Sequence, residues 1–125
     1  MIKKLFLLLA LAAVAVGSLA GSATAASPAP TTLTIKVQNG DFSGTIKSSK
    51  VRCYTNRTVH LMKVVSGPDQ RIASDTVERQ GNKGVWSTGN TGLEGGRYYA
   101  KVAPKSGCKG AVSRTLASDR PVFEE

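Results

Sequence analysis

The chain has 125 residues, 41% of them hydrophobic and 20% charged, with 17 Lys and Arg against 8 Asp and Glu. That length holds one domain, the apolar content excludes a disordered polyelectrolyte, and 13 Gly with 5 Pro suit a turn-rich all-β chain better than a helical one. The formal net charge of +9 is consistent either with acidic partners or with solubility, and the basic residues are scattered from Lys36 to Arg120 without the dense block of a nucleic-acid arm.

In chain order, Met1 to Ala25 comes first. Lys3 and Lys4 precede an apolar run from Leu5 to Val16, and small residues follow, ending Ala23-Thr24-Ala25. This pattern predicts a secretory signal peptide cut between Ala25 and Ala26. The apolar run is short for a bilayer span, no Cys follows it to accept a lipid, and no second apolar stretch appears. The expected product is secreted and extracellular, with no integral membrane segment after signal removal. It carries 15 basic and 8 acidic residues, a net charge of +7.

Two cysteines remain, Cys53 and Cys108. Outside the reducing cytosol they are expected to form an intramolecular disulfide across 55 residues, a loop that the chain-entropy account credits with roughly 4 kcal/mol. A structural zinc site needs four ligands, and only His60 could join the thiolates, so neither a metal nor a cofactor is expected.

Residues 26–32, Ala26 to Thr32, read as a flexible Pro- and Ala-containing linker, with a β-sandwich domain over residues 33–118 and a charged tail over 119–125. Leu33, Ile35 and Val37 alternate with Thr34, Lys36 and Gln38, and Asn39-Gly40 follows, a strong hairpin signal. With Asn39-Gly40 as the loop, Val37 faces Phe42, Ile35 faces Gly44 and Leu33 faces Ile46, so every apolar residue falls on one side of a hairpin from Leu33 to Ser48. Thr58 to Val65 reads as a strand with two possible inner faces, Val59 with Leu61 or His60 with Met62 and Val64, and a bulge or two-sided cover would resolve it. Arg71 to Glu78 and Lys83 to Ser87 are shorter strand candidates around Gln80-Gly81-Asn82. Residues Gly89 to Gly96 form a glycine-rich loop. Arg97 to Val102 alternates cleanly, and Ala111 to Ser118 is the last strand. About seven short strands with turns at this spacing predict an all-β antiparallel two-sheet sandwich.

Five segments also carry a resemblance: Phe42-Ser43-Gly44-Thr45-Ile46, Thr58-Val59-His60-Leu61, Ile72-Ala73-Ser74-Asp75-Thr76, Gly84-Val85-Trp86, and Gly96 to Val102. Their order resembles transthyretin-like sandwich domains, a group that includes carboxypeptidase regulatory-like domains and collagen-adhesin B-type repeats. The cysteine pair and the stretch from Gln38 to Gly44 are more particularly similar to small secreted domains of actinobacterial type whose role is uncharacterised. The resemblance implies a transthyretin-like or Ig-like sandwich that is mostly non-catalytic. The Lys to Asn crosslink common in the adhesin repeats finds no Asn in Ala111 to Ser118.

The side chains point the same way. His60 is the one histidine, it lies in mid-strand, and no Ser, Cys or Asp is spaced as a recognisable partner. Asp75 and Glu78 have an odd offset that sends them to opposite faces of one strand, a poor acid and base pair. No phosphate-binding loop, dinucleotide fingerprint or nucleophile elbow occurs. Alternation places Arg97, Tyr99 and Lys101 together, opposite Tyr98, Ala100 and Val102. Such a stripe could stack on rings and neutralise phosphates, or it could be the ordinary solvated face of a strand. Trp86 and Tyr54 have the same two readings, with core packing ahead for Trp86.

The expected function is therefore a secreted, non-catalytic interaction module at or outside the cell surface, with no enzyme activity. Its partner would be a polyanion, either a cell-wall polymer or extracellular nucleic acid, or else a protein. Two alternatives stand beside it. One is a small inhibitor or effector using the rigid loop Gly89 to Gly96 against one protein target. The other is a hydrolase with a site built from loops.

Overall fold

The computed structural model describes residues 27–93 and 95–118. The expected signal peptide with its expected cut site, Ala26, Glu94 and the tail from Asp119 lie outside the described residues.

The chain forms β1 (Thr31–Leu33), β2 (Lys36–Gln38), β3 (Asp41–Ser48), a 3-10 turn (Val51–Cys53), β4 (Thr58–Lys63), β5 (Gln70–Thr76) and β6 (Glu78–Gln80). It continues through β7 (Lys83–Asn90), β8 (Arg97–Val102), β9 (Ala111–Val112) and β10 (Leu116–Ala117). The first sheet has the order β1-β3-β7-β6, with β2 also on β3. The second has the order β10-β8-β4-β5, with β9 also on β8. Every strand pairing is antiparallel, and the two sheets pack face to face as a sandwich.

The hairpin register agrees with the alternation. Leu33 pairs with Ile46 and Val37 with Phe42. Asn39 and Gly40 both have positive φ, 51° and 79°, the conformation a tight two-residue hairpin loop requires. Val59 and Leu61 are fully buried, which settles the inner face of β4. The register of β4 against β5 shifts between Leu61 and Met62, leaving Ile72 as the extra residue of a bulge.

Three of the seven expected strands are each cut in two, and each cut has a cause. Between β1 and β2, the Thr34 carbonyl accepts the indole N–H of buried Trp86 at 3.1 Å, and the Thr34 hydroxyl accepts from the Thr45 amide at 2.8 Å. Those bonds hold Thr34 over Gly44, where any Cβ would overlap its carbonyl. Between β5 and β6, Val77 is buried, and its amide donates to the Arg57 carbonyl at 2.8 Å where the chain crosses from the second sheet to the first. Between β9 and β10, the Ser113 hydroxyl takes the place of a backbone acceptor and receives the Ala100 amide at 2.7 Å.

Phe42 of β3 and Tyr98 of β8 meet in the middle with ring centroids 4.8 Å apart, joining the two sheets within a core that includes Ile46, Leu61 and Trp86. Burying each side chain of this size contributes about 1.5–3 kcal/mol.

The disulfide between Cys53 and Cys108 is formed, with Cα atoms 5.4 Å apart and both residues buried. Beside it lies Arg57, only 3% exposed, which donates to the carbonyls of Cys53 at 2.9 Å, Ala103 at 2.7 Å and Lys109 at 3.2 Å. Desolvation lowers its pKa. The fold also begins earlier than the expected linker boundary. Ala29 is buried against the disulfide, its amide donates to Gly107 and its carbonyl accepts from Lys109, both at 2.9 Å, and Thr31 and Thr32 are already in β1. Pro30 loses no ladder donor there, because the contacts are made by the residues around it.

Candidate functional site: the outer face of the second sheet

The stripe lies where alternation places it. Tyr98, Ala100 and Val102 of β8 are buried, while Arg97 and Lys101 are exposed and Tyr99 is half-buried. β8 is an inner strand, so pairing extends the stripe into a surface. Lys101 is opposite His60, which is opposite Ser74. Tyr99 is opposite Met62, which is opposite Arg71. On the other side Lys101 is opposite Val112, at 63% exposure the most open large apolar residue described. Arg97 and Lys101 are four residues apart on one strand, about 13 Å at the rise of a β-strand.

The charges on this face are unbalanced. Among the described residues no Lys or Arg lies within ion-pair distance of an Asp or Glu. Of the four described carboxylates, three accept hydrogen bonds from neutral groups: Asp69 from the Tyr99 hydroxyl at 2.6 Å, Asp75 from the Ser87 amide at 2.8 Å, and Asp41 from the Ser87 hydroxyl at 3.2 Å. The bond to Asp69 is the main reason the Tyr99 phenol is harder to ionise than an ordinary one, and it pins the side chain at one end of the surface. His60 Nδ1 lies 2.7 Å from the Ser74 hydroxyl, and its pKa is lowered by desolvation first and then by the charges of Arg71 and Lys101. Each of these causes favours the uncharged form of the imidazole. Three cations, an aromatic, an imidazole and exposed apolar groups thus share one face, a set suited to holding anionic groups around a flat or apolar segment.

Of this surface the sequence supplies only Arg97, Tyr99 and Lys101. Arg71, Met62 and the pairing of His60 with Ser74 come from the register of β4 with its two neighbours. The signal was partly present, since a bulge and an inner face of Val59 and Leu61 send His60 and Met62 outward. The other candidates fall elsewhere. Trp86 is 2% exposed and Tyr54 is buried with the Arg79 guanidinium 5.9 Å from its ring centroid, so both belong to the interior. Of the glycine-rich loop, Gly89 and Asn90 belong to β7, and Thr91 is tied to the Gly40 carbonyl through its amide and its hydroxyl. Leu93 packs against the core.

Asp75 and Glu78 do not follow strand parity, because Val77 divides them between the two sheets. Both border a groove of about 890 Å³ whose lining also includes Lys36, Lys83 and Arg114 with Ser43 and Thr45. Its charges are mixed, and Asp75 and Ser87 are already bonded to each other. Among the described residues no group of three or more His, Cys, Asp or Glu could hold a metal ion, and no helix is long and apolar enough to cross a membrane.

Comparison with protein-family models and with curated proteins finds no match to this chain, so function has to be read from the chemistry of this face.

Proposed function

We propose that the protein is a secreted, non-catalytic interaction module whose second sheet binds a phosphodiester polymer of the extracellular space, a cell-wall polymer or nucleic acid, along its outer face. One observation carries this reading: Arg71, Arg97 and Lys101 share a face with Tyr99 and have no carboxylate partner among the described residues. Unpaired cations keep their full attraction for phosphates, and tyrosine adds a surface on which rings or sugar backbones can rest. Secretion rests on the pattern of residues 1–25 and is tested by N-terminal sequencing of exported protein, which should begin at Ala26. The transthyretin-like resemblance belongs to the same proposal, and its support is the two-sheet architecture.

Binding of the chain from Ala26 onward to oligothymidylate and to poly(glycerol phosphate) tests the reading at low and near-physiological salt. Affinity should fall steeply as salt rises. It should weaken in Arg97→Ala and Lys101→Ala and hold in Lys47→Ala, a change on the first sheet. Absence of binding at both salts, or equal losses from both sheets, would rule it out and turn attention to a protein partner.

A hydrolase is the second reading, because His60 and Ser74 form a base and hydroxyl pair at 2.7 Å. The neighbours of that imidazole weigh against it. They are the cations Arg71 and Lys101, which lower its basicity, where a triad places a carboxylate. Ester hydrolysis abolished by Ser74→Ala would favour this alternative.

A further inference from the structure

His60 occupies a particular place on the basic face. It lies on the central strand β4, directly opposite Lys101 of β8 and one pair from Arg71 of β5, so that the imidazole sits between two cations contributed by different strands. We propose that His60 is the acid-responsive element of the polymer-binding face: once protonated, it completes a cluster with Lys101 and Arg71 that grips a phosphodiester chain more tightly in mildly acidic surroundings than at neutral pH. This inference rests on the polyanion reading above and adds a regulation to the same site.

The surroundings are those such an element needs. From β5, His60 faces Arg71 and Ser74; from β8, Lys101 and Tyr99; from its own strand, Met62. Beyond Lys101, β9 contributes the uncharged Val112. Among the described residues the carboxylate that bonds to a group of this face is Asp69 in the β4–β5 turn, and its partner is the Tyr99 hydroxyl. Among the described residues, therefore, no acid is hydrogen-bonded to His60 to hold a proton there. A bound phosphate between Lys101 and Arg71 changes this, because it offsets the two charges that disfavour the imidazolium and adds one that favours it. Proton uptake and polymer binding are then linked, each strengthening the other.

Ser74 lets the change occur without rearrangement. Its hydroxyl can donate to Nδ1 of the neutral ring or accept from Nδ1–H of the protonated one, so the 2.7 Å contact survives either state. The partner chemistry is also restricted. Phosphodiesters keep their charge through this pH range, so the pH dependence of binding must come from the protein. The chain has one histidine, the side-chain type whose ordinary pKa lies in that interval.

The experiment measures affinity for oligothymidylate at about pH 5 and about pH 7, at fixed near-physiological salt, with the chain from Ala26 onward, which contains every described strand. In parallel, the single imidazole signal is followed by proton NMR across the same range, with and without saturating oligomer. We expect affinity about three- to tenfold tighter at the lower pH and the imidazole midpoint raised by about half a unit to one unit on binding, since one unit corresponds to a factor of ten. His60→Gln should remove the pH dependence, so that its affinities at the two pH values agree, and His60→Arg should give the tight affinity at both pH values. Thermal unfolding of both variants checks that they fold. Binding that is equal at both pH values with an unmoved imidazole midpoint overturns the inference and leaves the polyanion reading standing. No binding at either pH overturns both.

Discussion

The region around the disulfide and the outer face of the second sheet both carry arginine, and they use it in opposite ways. Arg57 is enclosed and spends its donors on three backbone carbonyls from separate segments, next to a covalent link and a docked Ala29. Arg97 and Lys101 stand in the open with no acidic partner among the described residues. Residue type and net charge do not distinguish these roles. Burial does, because an enclosed guanidinium must satisfy its donors within the protein, whereas an exposed one leaves them to solvent or a ligand.

The contrast can be broken from the closed side first. Replacing both Cys53 and Cys108 by alanine should lower stability by about 4 kcal/mol in urea denaturation, the largest effect expected of any change discussed here. A loss below about 1 kcal/mol would mean that the surrounding hydrogen bonds, rather than the crosslink, hold this region. Arg57→Met should follow at about 3 kcal/mol, because three buried carbonyls lose their donor together. Polymer affinity of the folded fraction should be unchanged in both variants, and a parallel loss would show that the two regions are coupled. Gly44→Ala tests the kink at Thr34 in the first sheet, apart from both regions. Its Cβ would overlap the Thr34 carbonyl and approach Trp86 Nε1 to 2.7 Å, so about 1–3 kcal/mol should be lost, with red-shifted tryptophan fluorescence if the indole loses its buried seat.

The open side gives the smallest stability effects. Arg97→Ala and Lys101→Ala should each stay within about 0.5 kcal/mol of the parent in denaturation while weakening polymer binding. A larger destabilisation would make these residues structural after all. His60 adds a pH dependence of known sign. Its folded pKa is below the ordinary value of about 6.5, so its contribution is complete above that value and declines as pH falls through the lower folded value. Comparing melting temperatures of the parent and His60→Gln between pH 7 and pH 5 should show the parent falling slightly more.

Much of this molecule was legible in advance, and the legible parts share a cause. Where apolar and polar residues alternate without interruption, as in β3 and β8, period-two geometry leaves only one way to bury a face. Asn39-Gly40 then sets the register of the first hairpin locally. The cuts at Thr34, Val77 and Ser113 were not legible. Each results from a hydrogen bond to a residue far along the chain, Trp86, Arg57 or Ala100, and local alternation carries no trace of such a partner. For the same reason strand parity puts Asp75 and Glu78 on opposite faces of one strand, whereas the fold divides that strand between two sheets.

The sequence by itself determined the all-β architecture, the pairing of the cysteines, and which side of β8 faces the core, because hydrophobic period, turn chemistry and the rarity of free thiols outside the cell act over a few residues or over the composition as a whole. Tertiary structure alone decided that Arg71, His60 and Ser74 join the stripe of Arg97, Tyr99 and Lys101, and that Arg57 does not. Which strands lie side by side, and how much water reaches a side chain, depend on the packing of distant segments, and those two quantities separate a structural cation from one available to a partner.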